Sequence, residues 1–111
     1  MFGAKESMEL IENKRNHLIL VVGSFGYKFV PVLADIISNG FGYNTYDRPV
    51  MGSEFVAWDM VKGNSMISIC QNGNKPLQID SLCSAGDSLL KKLKEQLPPI
   101  VKDQKYDEFR T

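Results

Sequence analysis

The sequence predicts an α+β fold: a single layer of mainly antiparallel sheet, a three-strand meander joined by N-terminal strands, with helices packed on one face. Three observations predict it. Two hairpin signals in series, Gly63-Asn64 and Asn72-Gly73, separate three strand-like segments between Phe55 and Ile79. Two stretches carry apolar residues at helical spacing, Phe29 to Ile37 and Leu82 to Leu97. A continuous apolar run, His17-Leu18-Ile19-Leu20-Val21-Val22, ends at Gly23 and has the length and the valines of a strand buried on both faces.

Taken in order, Lys5 to Lys14 favours helix by propensity, with Met8 and Ile11 three apart, glutamates early and Lys14 and Arg15 late, as the helix dipole prefers. The apolar strand follows. Pro31 is tolerated in a first helical turn, and Phe29, Val32, Leu33, Ile36 and Ile37 then form a stripe that Asn39-Gly40 should stop. Tyr43 to Tyr46 reads as a short strand and Arg48 to Gly52 as a loop. Phe55 to Val61 alternates, with Val56, Trp58 and Met60 on one face and Phe55, Ala57, Asp59 and Val61 on the other. Met66 to Gln71 and Lys75 to Ile79 complete the meander. Ser84-Ala85-Gly86-Asp87 has the shape of a capping box, Leu82, Leu89, Leu90, Leu93 and Leu97 make the apolar stripe of the last helix, and Pro98-Pro99 should end it. Beyond them, Tyr106 and Phe109 either dock the tail or leave residues 98–111 flexible.

A chain of 111 residues is one domain, residues 1–111, with enough apolar content (43%) to fill a core. Disordered, collagenous and coiled-coil classes are excluded by the same composition. Met1 to Glu12 lacks the basic-then-apolar order of a secretory signal. The apolar stretch from Leu18 to Ile37 is interrupted by Gly23, Gly26, Lys28, Pro31 and Asp35, so no bilayer-spanning helix is expected. Cys70 and Cys83 sit among apolar neighbours and read as reduced structural thiols of a cytoplasmic protein.

Catalytic chemistry is hard to assemble from these residues. The single histidine, His17, reads as a strand-edge residue, no Cys-x-x-Cys spacing suggests a metal, and Asp47, Glu54 and Asp59 read as solvated acids. No enzyme activity, cofactor or metal is expected. Two motifs remain. The turn Val22-Gly23-Ser24-Phe25-Gly26, between a strand and a helix, could cradle a phosphate on its amides, although it lacks the third glycine of the dinucleotide fingerprint and the Gly-Lys-Ser/Thr ending of a P-loop. The segment Asn39-Gly40-Phe41-Gly42-Tyr43-Asn44-Thr45-Tyr46 is similar to the RNP1 octapeptide of the RNA-recognition motif, matching at Gly40, Phe41, Gly42, Tyr43 and Tyr46. Asn39 stands where that family has a base, and the segment follows the first helix rather than lying on the third strand. An alternative reading is therefore a small RNA- or nucleotide-binding protein using the Gly40–Tyr46 aromatics or the Gly23–Gly26 turn.

Thirteen bases balance thirteen acids, which argues against nucleic acid as the partner. The balance is uneven along the chain. Residues 29–90 hold six acids and three bases, whereas residues 91–111 hold four acids and six bases. An acidic centre favours a basic protein partner. In length, in element order and in the Trp58 meander running into the Leu89-to-Leu97 helix, the chain resembles the small immunity proteins of bacterial toxin systems of the contact-dependent growth inhibition kind. That resemblance implies a cytoplasmic inhibitor that forms a heterodimer with a cognate toxin domain, such as a nuclease, and covers its active site without turnover. The expected contact surface is Tyr46, Asp47, Arg48, Glu54 and Asp59, because aromatic, Arg and acidic side chains gather in or beside that loop.

Overall fold

The computed structural model describes residues 8–23, 25–52 and 54–110. It shows an antiparallel sheet of seven strands with two helices on one face, as the sequence predicts. The strands are β1 (Glu9–Glu12), β2 (Leu18–Gly23), β3 (Asn44–Thr45), β4 (Val50–Met51), β5 (Phe55–Lys62), β6 (Ser65–Asn72) and β7 (Leu77–Ser81). They run in the order β1-β2-β7-β6-β5-β3, with β4 also pairing to β5. Helix α1 (Phe29–Phe41) connects β2 to β3, and α2 (Ser84–Val101) follows β7.

The layer arrangement follows from alternation along the strands. Leu20 and Val22 of β2, Val56 and Met60 of β5, Ile67 and Ile69 of β6, and Leu77 and Ile79 of β7 are buried under the helices. The helices answer with Phe29, Val30, Leu33, Ala34 and Ile37 of α1 and Leu89, Leu90, Leu93, Leu97 and Val101 of α2. Each fully buried side chain of this size is worth roughly 1.5–3 kcal/mol relative to exposure. The predicted two-face split of β5 holds as written.

Several expectations are corrected. The N-terminal segment is a strand, not a helix; its first residues, Lys5 to Ser7, lie outside the described residues. Leu10 pairs with Leu20 and Ile11 with Ile19, so joining the sheet edge outweighs the weak helical propensity. The turn that enables this is built by Asn13, whose Oδ1 accepts the N–H groups of Arg15 and His17, and by Asn16 in the left-handed region at φ 63°. Strand β2 is buried on one face only: Ile19 and Val21 are half-buried on the other.

Helix α1 passes through Asn39-Gly40 and ends at Gly42, whose φ of 78° and bond to the Ser38 carbonyl make the left-handed cap. The predicted loop from Arg48 to Gly52 contains β4. In the second hairpin the turn centres on Gly73-Asn74, one residue later than expected, with Lys75 N–H bonded to the Asn72 carbonyl. Leu82 is not part of the α2 stripe; it precedes the helix and is exposed.

The start of α2 also departs from the capping-box expectation. The cap is Cys83, whose thiol sulfur accepts the Gly86 N–H at 3.4 Å. Asp87 does not reach back to the cap. Its Oδ1 accepts the Leu18 N–H at 2.9 Å and its Oδ2 lies 3.1 Å from His17 Nδ1, which ties the helix to the start of β2. Gly86 lets α2 approach the sheet closely, since a Cβ there would lie 2.6 Å from Ser81 Oγ and 2.9 Å from the Met66 carbonyl oxygen.

Pro98 and Pro99 do not stop the helix, which continues to Val101. They remove the N–H groups that would bond the carbonyls of Lys94 and Glu95 and crowd those carbonyls with their rings, and burial of Leu97 and Val101 holds the last turn in register. The segment beyond returns to the body. A 3₁₀ helix, Gln104–Phe109, sets Tyr106 edge-on to Phe29 at 5.8 Å and Phe109 against it at 5.5 Å. Arg110 lies over Phe25 and donates to the Val101 carbonyl at 2.8 Å, while Gly26 N–H bonds the Phe109 carbonyl.

Two substitutions test the α2 junction. Gly86→Ala is expected to destabilise, because overpacking costs about 1–3 kcal/mol against about 1 kcal/mol gained in helix propensity; urea unfolding measures the difference. Burial pushes the Asp87 carboxyl up, but the Leu18 N–H, Ser81 and His17 outweigh it and hold the group below its ordinary value. A carboxylate lowered in the folded state stabilises above its unfolded value of about 3.9, and this is lost as pH falls through the lower folded value. Thermal melts should show wild type losing more stability than Asp87→Asn as pH falls below about 4.

Candidate interaction face

The face of the sheet opposite the helices is uncovered by any described residue. Two cross-strand rows run over it. The first is Asp59–Ser68–Asp80–Ile19–Ile11, and the second is Val50–Ala57–Cys70–Gln78–Val21–Glu9. Tyr46 joins the first row beyond Asp59, through its N–H bond to the Asp59 carbonyl at 2.8 Å. With strands about 4.8 Å apart, the Asp59 and Asp80 backbones lie about 10 Å from each other across Ser68.

The surface is apolar at its margins and polar at its middle. Of eight exposed large hydrophobic residues among those described, Ile11, Val50 and Phe55 fall on this face by strand alternation, and Tyr46 and Leu82 do so one residue past β3 and β7, where their N–H groups bond the Asp59 and Met66 carbonyls. The centre holds half-buried Asp59, Ser68, Cys70, Gln78 and Asp80, with Gln78 Nε2 donating to Asp80 Oδ1 at 2.7 Å. Charge is segregated as well. Glu9, Asp59 and Asp80 occupy strand positions on this face and no Lys or Arg does so among the described residues, although Lys14 and Arg15 of the β1–β2 turn line a cleft at its edge with Asp80 and Leu82. Lys91, Lys92 and Lys94 are exposed on α2, on the opposite side of the molecule.

The five residues expected at the contact surface are brought together only in part. Tyr46 and Asp59 are neighbours on the open face. Asp47 takes a left-handed conformation, φ 62°, and its Oδ1 accepts the Arg48 N–H, so these two form the exposed turn between β3 and β4. Glu54 is exposed at the entry to β5, where its carbonyl accepts the Gly73 N–H. Sequence reading missed Asp80, Gln78 and Ser68 as members of the surface, because only register shows that they face Asp59. Alternation around Ile79 was the available signal.

The other chemical candidates resolve differently. Phe41 ends α1, and Tyr43 is buried with its hydroxyl bonded to Ser65 Oγ, so the RNP1-like segment is no strand of exposed aromatics. At the glycine turn, Ser24 lies outside the described residues. The Phe25 and Gly26 amides bond the carbonyls of Gly23 and Phe109, and those of Phe29 and Val30 bond Gly26 and Tyr27. Pro31 has no amide hydrogen. These amides are already spent on protein carbonyls rather than aimed at an anion. Among the described residues no group of His, Cys, Asp and Glu could hold a metal ion, and no helix is long and apolar enough to cross a membrane.

The two thiols are chemically distinct. Burial, then the neighbouring Asp80 carboxylate, pushes Cys70 up to about 12. Burial also raises Cys83, but N–H groups of Met66, Gly86 and Ala85 outweigh it and lower that thiol. Iodoacetamide at neutral pH should therefore label Cys83 before Cys70 in the native protein, and peptide mass spectrometry reads the order. Equal or reversed labelling would contradict the assignment.

Comparison of the chain with protein-family models, with curated proteins and with solved structures returns no match.

Proposed function

We propose that this chain is an inhibitor of the immunity-protein kind, which acts in the cytoplasm by binding a cognate toxin domain as a heterodimer through its uncovered sheet face. The observation that carries the reading is that face itself: among the described residues, five of the eight exposed large hydrophobic side chains surround a centre whose strand charges are carboxylates. Such a surface has the apolar anchors and the polar, charge-selective groups of a protein-binding site.

The occupant is a basic protein surface. Pairing the face with a second copy of itself would set Asp59, Asp80 and Glu9 against their own kind, and like charges across an interface cost several kcal/mol. A nuclease active site, lined with bases that hold phosphates, is the complement of such a face. In this reading Asp59 and Asp80 are central contacts, Tyr46 is an apolar anchor at the margin beside Asp59, and Asp47, Arg48 and Glu54 belong to the rim. The chain blocks access and performs no turnover.

The reading expects a neighbouring reading frame to encode a toxic domain, and the test is growth protection against that domain. Co-expression of the wild-type chain is expected to restore growth. Asp59→Lys/Asp80→Lys should bind the domain at least about tenfold more weakly and lose protection. Lys91→Glu/Lys92→Glu, on the helix side, should retain both. If the lysine variant fails to fold, Asp59→Asn/Asp80→Asn serves in its place, with weaker binding and a reduced salt dependence expected. Protection or affinity that is indifferent to every open-face variant overturns the proposal, as does binding of single-stranded RNA in place of protein.

A further inference from the structure

We infer that the cavity at the end of the sheet, between the loop that leaves β2 and the β6–β7 turn, binds a phosphate-bearing planar nitrogen heterocycle of the nucleobase kind. The cavity measures about 430 Å3, within the roughly 300–1,000 Å3 of small-molecule sites. It lies off the uncovered face. Gln71, which lines it, stands opposite Val56 in the β5–β6 pairing and so shares the helix-side orientation of that buried residue. None of the open-face acids lines the cavity.

Gln71 ties the two walls together. Its Nε2 donates to the Phe25 carbonyl of the loop at 3.2 Å and to the Lys75 carbonyl of the turn at 3.3 Å. Both amide hydrogens are thereby spent, and a flipped amide would set its oxygen against two carbonyl oxygens. The side chain is fixed, and its Oε1 accepts from no donor among the described residues. An acceptor held in this way is matched by a ring N–H of a ligand.

Tyr27 supplies a flat wall. Its side chain is 52% exposed and has no partner among the described residues, whereas Phe25, Tyr106 and Phe109 all pack on Phe29. A free aromatic face stacks on a nucleobase of any sequence. Lys75 lines the same cavity without an ion-pair partner, and no carboxylate lines it among the described residues. An ammonium placed beside such a slot takes a phosphate carried by the stacked ring. The backbone amides of Phe25 and Gly26 are bonded to protein carbonyls, so recognition here falls to side chains. The site is independent of the docking role of the open face.

The test is titration of the ¹⁵N-labelled protein with adenosine, guanosine and uridine monophosphates and, separately, with ribose phosphate, at constant ionic strength. At least one nucleotide should give saturable shifts at the Tyr27, Gly73 and Lys75 amides and at the Gln71 side-chain amide, with ribose phosphate binding more weakly. Tyr27→Ala should weaken nucleotide binding at least about fivefold, and Tyr27→Phe should retain it. Lys75→Ala should bring the nucleotide down to the affinity of its nucleoside. Asp59→Asn/Asp80→Asn, on the open face, should bind as wild type does, which separates this site from the docking surface. The inference is overturned if no nucleotide saturates, if ribose phosphate binds as tightly as the nucleotides, or if the Tyr27→Ala protein binds them as well as wild type.

Discussion

One-sided burial is the constraint from which the rest of the molecule follows. Both helices spend their apolar stripes on the same face of the sheet, against Leu20, Ile67, Ile69, Leu77 and Ile79. Because strand side chains alternate, each of those buried residues has a neighbour that must point away from the helices. The uncovered face is the geometric complement of the core. Its composition, with carboxylates and an amide at the centre and large apolar groups around them, is the feature on which the proposed docking role rests.

The two faces meet at the start of α2. Cys83, Gly86 and Asp87 are three consecutive contacts of one helical turn: a thiol cap, a close approach to Ser81 and Met66, and a carboxylate reaching back to Leu18 and His17. Together they fix the helix over β2, β6 and β7, and they place the β1–β2 hairpin beside Asp80. A change in this turn acts on both the core and the geometry of the open face.

Much of the fold was legible because its signals are local. Gly63-Asn64 marks a two-residue turn with Gly63 at φ 57°, and the alternation from Val56 to Met60 assigns β5 to its two faces without further information. What was not legible depended on partners distant in sequence. Residues 9–12 form a strand because Leu18 to Val21 offer an edge to pair with, and local propensity carries no trace of that edge. Pro98 and Pro99 sit inside a helix because Leu97 and Val101 are buried around them. The site was half legible for the same reason. Tyr46 and Asp59 lie close in the chain, whereas Asp80 reaches them only through two strand pairings.

In the proposed role the molecule is a shaped face with carboxylates at its centre, carried on a conventional core. That role predicts which side chains a partner hides. Hydroxyl-radical footprinting of the chain, alone and bound to the toxin domain proposed as its partner, reads this directly. Oxidation of Tyr46, Phe55 and Leu82 should fall in the complex, while Ile100 on the helix side reacts as before. Protection of Ile100 with undiminished oxidation of Tyr46, Phe55 and Leu82 would contradict the account.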